Sequence, residues 1–291
     1  MGPKPFSLIV TRNEIVFLPI ASDDEHIYGM AGYVALDAEV ARACAEGVET
    51  VAFGGKLWVK VLGMRYDEYA KILNAKDATM LLPNLGKLAR IGRVVRSCIS
   101  SQDDKLLRKY DSILERLSTA LGVRRTCIGL CGSVLYKPAQ ERADIDFVVY
   151  GHRDSLMAYQ RVLALVDPHC LYEQNGRIYH WRFKLPGQGW WFDPHFHVSE
   201  PMTTALAHGE YVDFGHDDVV GLRVIDDRHG IFYPAHFGLS DGTALLSYRL
   251  GHSGWLRKGD RVSVRRLPLY KIGGELYRVV LKQENLSVGS R

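Results

Sequence analysis

The 291-residue chain has only five cysteines, an odd number, and no two of them stand in CxxC spacing. That argues against a disulfide-stapled scaffold and against a cysteine zinc site. The cysteines read instead as small, mostly buried residues. No apolar run approaches the eighteen or so residues of a membrane helix. The opening stretch MGPKPFSLIVTRNEIVFLPI interrupts its apolar residues with Arg12, Asn13 and Glu14, unlike a secretory signal. The expectation is a cytoplasmic protein with no membrane partner. Internal repeats and low-complexity linkers are also missing, and GGK at Gly54 to Lys56 lacks the rest of a Walker loop. Nothing in the sequence speaks to oligomeric state.

The net charge of +4 is small, but its distribution is uneven. From Gly251 to the end there are nine Lys and Arg against three acids, a net of +6, so the first 250 residues carry −2. A basic C-terminal module suits a polyanion such as RNA or DNA. It equally suits a strand-rich module with solvated cations on its outer face.

Three regions follow from pattern. Residues 1–100 form an N-terminal α/β module. SLIVTRNEIVFLPI reads as a hairpin turning at Arg12-Asn13, and VETVAFGGKLWVKVLGM reads as two strands around Gly54-Gly55. DAEVARACAEG and DEYAKILNAK have helical periodicity. Residues 101–215 form the core. One helix is expected from Asp104 to Leu121, with Leu106, Tyr110, Ile113, Leu114, Leu117 and Leu121 on one stripe and Gly122 as its stop. A short strand, RTCIGL, then runs into a Gly-Ser turn and a helical stub, VLYKP. The strand DIDFVVY, the helix DSLMAYQRVLALV, and two strands joined by Pro186 to Gly189 complete a mixed-sheet unit. Residues 216–291 alternate short strands and turns, as in a small β-barrel-like module, with a hairpin at Gly273-Gly274. The fold class is α+β.

The chemistry concentrates in CGSVLYKPAQERADIDFVVYG. Strand side chains alternate faces, so Asp144, Asp146 and Val148 share one face and Ile145, Phe147 and Val149 the other. The apolar set can bury itself while both carboxylates point the opposite way. Two carboxylates held close repel unless cations neutralise them, and magnesium favours oxygen ligands. A pair of such ions can stabilise the attacking and leaving oxygens of a phosphoryl displacement. Upstream, Gly132 and Ser133 at a strand-to-helix turn offer backbone N–H groups and a hydroxyl to phosphate. Lys137 and Arg142, in the connection, are within reach of a triphosphate, although solvated loop charges are the plainer reading. The third carboxylate is assigned to Asp193 in GWWFDPHFHV, where Trp191, Asp193, His195 and His197 share a polar face opposite a wholly apolar one. If that strand lies beside the one carrying Asp144 and Asp146, Asp193 completes a ligand set and can accept a hydroxyl proton. Asp193, His195 and His197 could instead hold a transition metal such as zinc.

The segment GLCGSVLYKPAQERADIDFVVYG resembles the signature of the DNA polymerase beta-type nucleotidyltransferase superfamily: Gly-Ser, a spacer, then acid-apolar-acid in a strand. Gly132, Ser133, Asp144 and Asp146 match it; Asp193 corresponds by position only, and its neighbouring Pro194 and histidines depart from the pattern. The flanks VIDDRHGIFYPAHF, KGDRVSVRR and LYRVVL resemble those of stand-alone, mostly archaeal-type nucleotidyltransferases with a C-terminal β module. The resemblance implies a nucleotidyltransferase-like mixed-sheet core, a nucleoside triphosphate such as ATP as donor, and two Mg2+ ions, with Mn2+ as a substitute. It also implies transfer of a nucleotidyl group to a hydroxyl with release of pyrophosphate.

Overall fold

The structure, a computed structural model, describes residues 3–76, 81, 88–136, 144–166, 171–174, 177–180, 182–197, 212–247, 252–272, 274–280 and 286–289. By packing, the chain forms two compact units, residues 1–103 with 131–142, and residues 104–130 with 143–291.

The first unit contains β1 (Leu8–Val10), β2 (Ile15–Ser22), β3 (His26–Ala35), α1 (Ala38–Ala43), β4 (Thr50–Phe53), β5 (Lys56–Lys60), α2 (Tyr66–Ala75), β6 (Ala89–Gly92) and β7 (Ser97–Ile99). The strands order as β4-β5-β3-β2-β1-β7, with β6 also paired to β3. Every pairing is antiparallel. The N-terminal region is therefore built from hairpins flanked by two helices, without the parallel crossovers of an α/β unit. Both expected turns form. Val10 pairs with Val16 across Arg12-Asn13. Gly54 and Gly55 have φ of 59° and 73°, the left-handed pair that a two-residue hairpin turn demands. The Asp37 carboxylate accepts from the Glu39 and Val40 N–H groups and starts α1. Helices α1 and α2 lay Val40, Tyr69, Ile72 and Leu73 against Val34, Val59 and Val61.

The second unit begins with a departure from the expected helix. Residues 104–121 form two helices, α3 (Asp104–Lys109) and α4 (Asp111–Leu121), broken at Tyr110 (φ −110°, ψ 20°). Of the stripe, Tyr110 at the break and Leu114, Leu117 and Leu121 of α4 are buried, whereas α3 buries nothing. Packing fixes helix direction more strongly than local periodicity does, and α3 has no packing to keep it collinear. Gly122 ends α4 with φ 66°.

Next come β8 (Ile128–Leu130), β9 (Asp144–Tyr150), α5 (His152–Leu165), β10 (Leu171–Gln174), β11 (Arg177–His180) and β12 (Trp191–His197). Strand β9 is central, antiparallel to β8 and parallel to β12. A parallel pair needs a long crossover; α5 and the β10–β11 hairpin supply it. The expected β11–β12 hairpin is reduced to one bridge, Phe183 with Phe192. Ile145, Phe147 and Val149 are fully buried, each contributing about 1.5–3 kcal/mol.

The remaining strands are β13 (Val212–Asp226), β14 (Ala235–Leu239), β15 (Ala244–Ser247), β16 (Arg261–Ile272), β17 (Glu275–Val280) and β18 (Leu286–Gly289). Strands β13 to β16 are joined antiparallel in the order β16-β13-β14-β15, a Greek key. Strand β17 fits between β15, to which it is parallel, and β16, to which it is antiparallel, and so closes a five-stranded barrel. Strand β18 adds to the free edge of β16 at Arg261 to Val264. Ile272 pairs with Glu275 at the expected turn, where Gly274 has φ 94°. Leu222, Val224, Phe237, Leu245, Trp255, Val262 and Leu267 fill the interior. The barrel is tied to the three-stranded sheet by the Tyr233 N–H donating to the Phe196 carbonyl at 3.0 Å, and by Arg257, whose guanidinium bonds the Tyr159 hydroxyl of α5. No helix among the described residues is long and apolar enough to cross a membrane.

Candidate functional site

The parallel register between β9 and β12 pairs Asp146 with Asp193, Trp191 with Asp144, and His195 with Val148. Directly paired residues in a sheet share a face, so Asp144, Asp146 and Asp193 stand together on one side of two adjacent strands. Asp144 and Asp146 are half-buried; Asp193 is only 3% exposed.

A residue that the sequence reading passed over completes the cluster. The Phe183–Phe192 bridge is antiparallel, which sets Arg182 opposite Asp193 and Lys184 opposite Trp191. Arg182 Nη2 lies 2.9 Å from Asp193 Oδ2 and 3.2 Å from Asp144 Oδ2. The Lys184 ammonium sits 4.0 Å over the Trp191 ring. Arg182 carried a readable signal: a lone cation inside HWRF, in an apolar strand pattern, asks for a buried acid just as two acids in DIDFVVY ask for cations.

The electrostatics remain unbalanced. Asp193 is pushed up to about 7, first by burial and then by the charge of Asp146, with Arg182 pulling the other way. Its Oδ1 is buried and accepts no hydrogen bond. Three carboxylates face one guanidinium. His195 Nε2 stands 3.8 Å from Asp146 Oδ1, which is contact rather than a strong bond.

The face expected to be open is covered: Asp193, His195 and His197 are all buried. His197 pairs with Tyr150, at the far end of β9 from Asp144, with the two ring centroids 6.1 Å apart. Burial alone drives its imidazole down to about 4. Asp193, His195 and His197 therefore do not converge as a zinc triad. As the side chains stand, no group of three or more His, Cys, Asp or Glu is arranged to hold a metal ion among the described residues; Arg182 lies between Asp144 and Asp193.

Gly132 opens a 3-10 turn, Gly132–Leu135, directly after β8 and Cys131. This single turn replaces the expected helical stub. Gly132 is exposed, with φ 62°, a left-handed conformation that favours glycine. Ser133 is half-buried. Both belong by packing to the first unit, whereas the three acids belong to the second. Lys137 and Arg142 lie outside the described residues. Two concavities, of about 370 and 230 Å3, are lined wholly by first-unit residues and include none of these groups.

The acids fit a divalent cation in chemistry if not in present arrangement. Asp193 Oδ1 is an orphaned buried acceptor, the donor set is all oxygen, as magnesium prefers, and the local charge is short of positive partners. Compared with family models, curated proteins and solved structures, the chain matches none.

Proposed function

We propose that the protein is a metal-dependent nucleotidyltransferase, moving a nucleoside monophosphate from a nucleoside triphosphate to an acceptor hydroxyl, of RNA or DNA, with release of pyrophosphate. One observation carries the reading: Asp144, Asp146 and Asp193 converge on adjacent parallel strands with, among the described residues, a single arginine to oppose them. A cluster whose carboxylates outnumber the described cations, with a buried unbonded oxygen, calls for a divalent cation.

On this reading the core is a nucleotidyltransferase-like mixed sheet. Asp144, Asp146 and Asp193 would hold Mg2+, or Mn2+ in its place. The bound ions would supply charge neutralisation to the transferring phosphoryl group. Asp193, buried and with its carboxyl pushed up, is suited to take the acceptor hydroxyl proton. Gly132 and Ser133, at an exposed left-handed bend, offer backbone N–H groups of the kind that bind phosphate, and Lys137 and Arg142 offer cations suited to a triphosphate. The closed Greek-key barrel belongs to an architecture that recurs in oligonucleotide-binding modules, which favours a nucleic-acid acceptor over a small molecule or a protein side chain.

A second reading has its own support. Arg182 already bridges Asp144 and Asp193, as an internal cation would in a non-catalytic protein that only binds nucleotide or nucleic acid. The test is incubation with each labelled nucleoside triphosphate, magnesium and total RNA, following pyrophosphate release and the labelled species. Wild type should release pyrophosphate; Asp146→Asn should lose at least about 1,000-fold of the rate, as loss of a metal-bridging carboxylate implies, while melting no lower than wild type. Triphosphate binding without magnesium-dependent turnover selects the second reading. Full turnover in Asp146→Asn ends the first.

A further inference from the structure

The outer face of the barrel carries two like charges that no carboxylate neutralises among the described residues. Arg223 on β13 and Arg261 on β16 are direct partners across the antiparallel pair, and both are exposed. Side chains so placed stand about 5 Å apart at Cβ, and like charges there destabilise a sheet. Six carboxylates of the barrel have partners other than this pair. Asp226 pairs with Arg228 and Asp241 with Arg278. Asp218, Asp227 and Asp260 accept from the backbone N–H groups of Arg266, Lys258 and Arg257, and Glu275 from the Tyr277 hydroxyl. Arg223 and Arg261 have no ion pair among the described residues.

The surroundings fit an extended polyanion. Arg265 and Arg266, also exposed, lie farther along β16. Arg265 lies four strand steps from Arg261, about 13 Å, a length that spans several phosphates of a nucleic-acid strand. The floor beside the pair is low: Gly289 of β18 lies next to Arg261, and Ser287 next to Ser263. All four cations are arginines, whose forked donors match phosphate oxygens two at a time. Among the described residues the large exposed apolar side chains of the barrel are aliphatic, Val220 and Ile225, which favours phosphate contacts over base stacking.

We propose that the β13–β16 face, centred on Arg223 and Arg261, binds the phosphate backbone of a nucleic-acid strand without reading its sequence. This deepens the nucleic-acid-acceptor reading above and rests on it for its purpose in the reaction, although binding is measured without turnover. The test is fluorescence anisotropy of labelled single-stranded RNA and DNA oligonucleotides of mixed sequence on the full chain, with EDTA and no triphosphate, between about 50 and 200 mM salt. Arg223→Gln with Arg261→Gln should weaken binding at least about tenfold at the low-salt end and flatten the plot of log affinity against log salt by roughly 1.4, two phosphate contacts at about 0.7 each. Lys105→Gln with Arg108→Gln on α3 removes the same net charge and should change affinity less than about twofold, as an exposed patch elsewhere on the surface would. The thermal midpoint of the barrel variant in low salt should stay level or rise, because a repulsive pair is gone; a fall would mark the arginines as structural and overturn the proposal. So would equal loss in both double variants, wild-type affinity in the barrel variant, or no binding by wild type. Competition by pyrophosphate or polyglutamate as effective as by the oligonucleotide would also overturn it, pointing to a small anion or an acidic protein. Failure of pyrophosphate release in wild type would sink the catalytic reading and leave this binding result standing, and the converse holds.

Discussion

Replacing Asp193 by Asn should make the metal-free protein more stable at alkaline pH, not less. The Asp193 carboxyl rises from an ordinary 3.8 to about 7, with burial the largest cause and Asp146 the next. The folded-state value lies above the unfolded one. The group's contribution to stability is therefore fully present below about pH 4 and is lost as pH rises through 7. The difference, about three pH steps, corresponds to roughly 4 kcal/mol. This is the net penalty after the Arg182 ion pair has been counted. A side-chain amide cannot ionise, so the Asp193→Asn variant escapes the penalty and forfeits about 1 kcal/mol of hydrogen bonding to Arg182. The expected outcome in EDTA is a gain of roughly 2–4 kcal/mol at pH 8, shrinking towards zero by pH 4. Urea unfolding followed by tryptophan fluorescence at pH 5 and pH 8 measures it. Millimolar Mg2+ should narrow the gap by stabilising wild type alone. A variant less stable than wild type by the same margin at both pH values would refute the reasoning, because Asp193 would then be a structural anchor rather than a charge held at a cost for function.

Arg182→Gln should act in the opposite sense: it takes from Asp193 its partner, a loss of about 1–3 kcal/mol at pH 8 that shrinks at pH 5, where Asp193 is already protonated, readable in the same unfolding series. Leu245 is fully buried in the barrel core, so Leu245→Ala should lower unfolding free energy by about 2–5 kcal/mol, and calorimetry checks it; a loss under about 1 kcal/mol would mean a loosely packed barrel.

Much of the local structure was legible because its causes are local. Gly54-Gly55 and Gly122 announce left-handed turns. The alternation in DIDFVVY already separates two acids from a buried apolar face. Where the cause is packing, local signals mislead. The stripe from Leu106 to Leu121 reads as one helix, yet nothing buries its first turn and the helix breaks at Tyr110. Strand β18 was not foreseen, since LSVG is too short to stand out without the β16 edge it joins.

The candidate site divides in the same way. Sequence by itself determined that Asp144 and Asp146 share a face and that Asp193 lies on a strand with an apolar reverse side, because strand geometry forces alternation. Only the tertiary structure decided that β12 runs parallel beside β9 with Asp193 against Asp146, and that the single Phe183–Phe192 bridge delivers Arg182 to the same cluster. It also decided that His197 is sealed next to Tyr150 and that the β13–β16 crossing sets Arg223 against Arg261. Register between strands far apart in the chain is set by how whole surfaces bury one another, and a list of side chains read one after another does not contain that information.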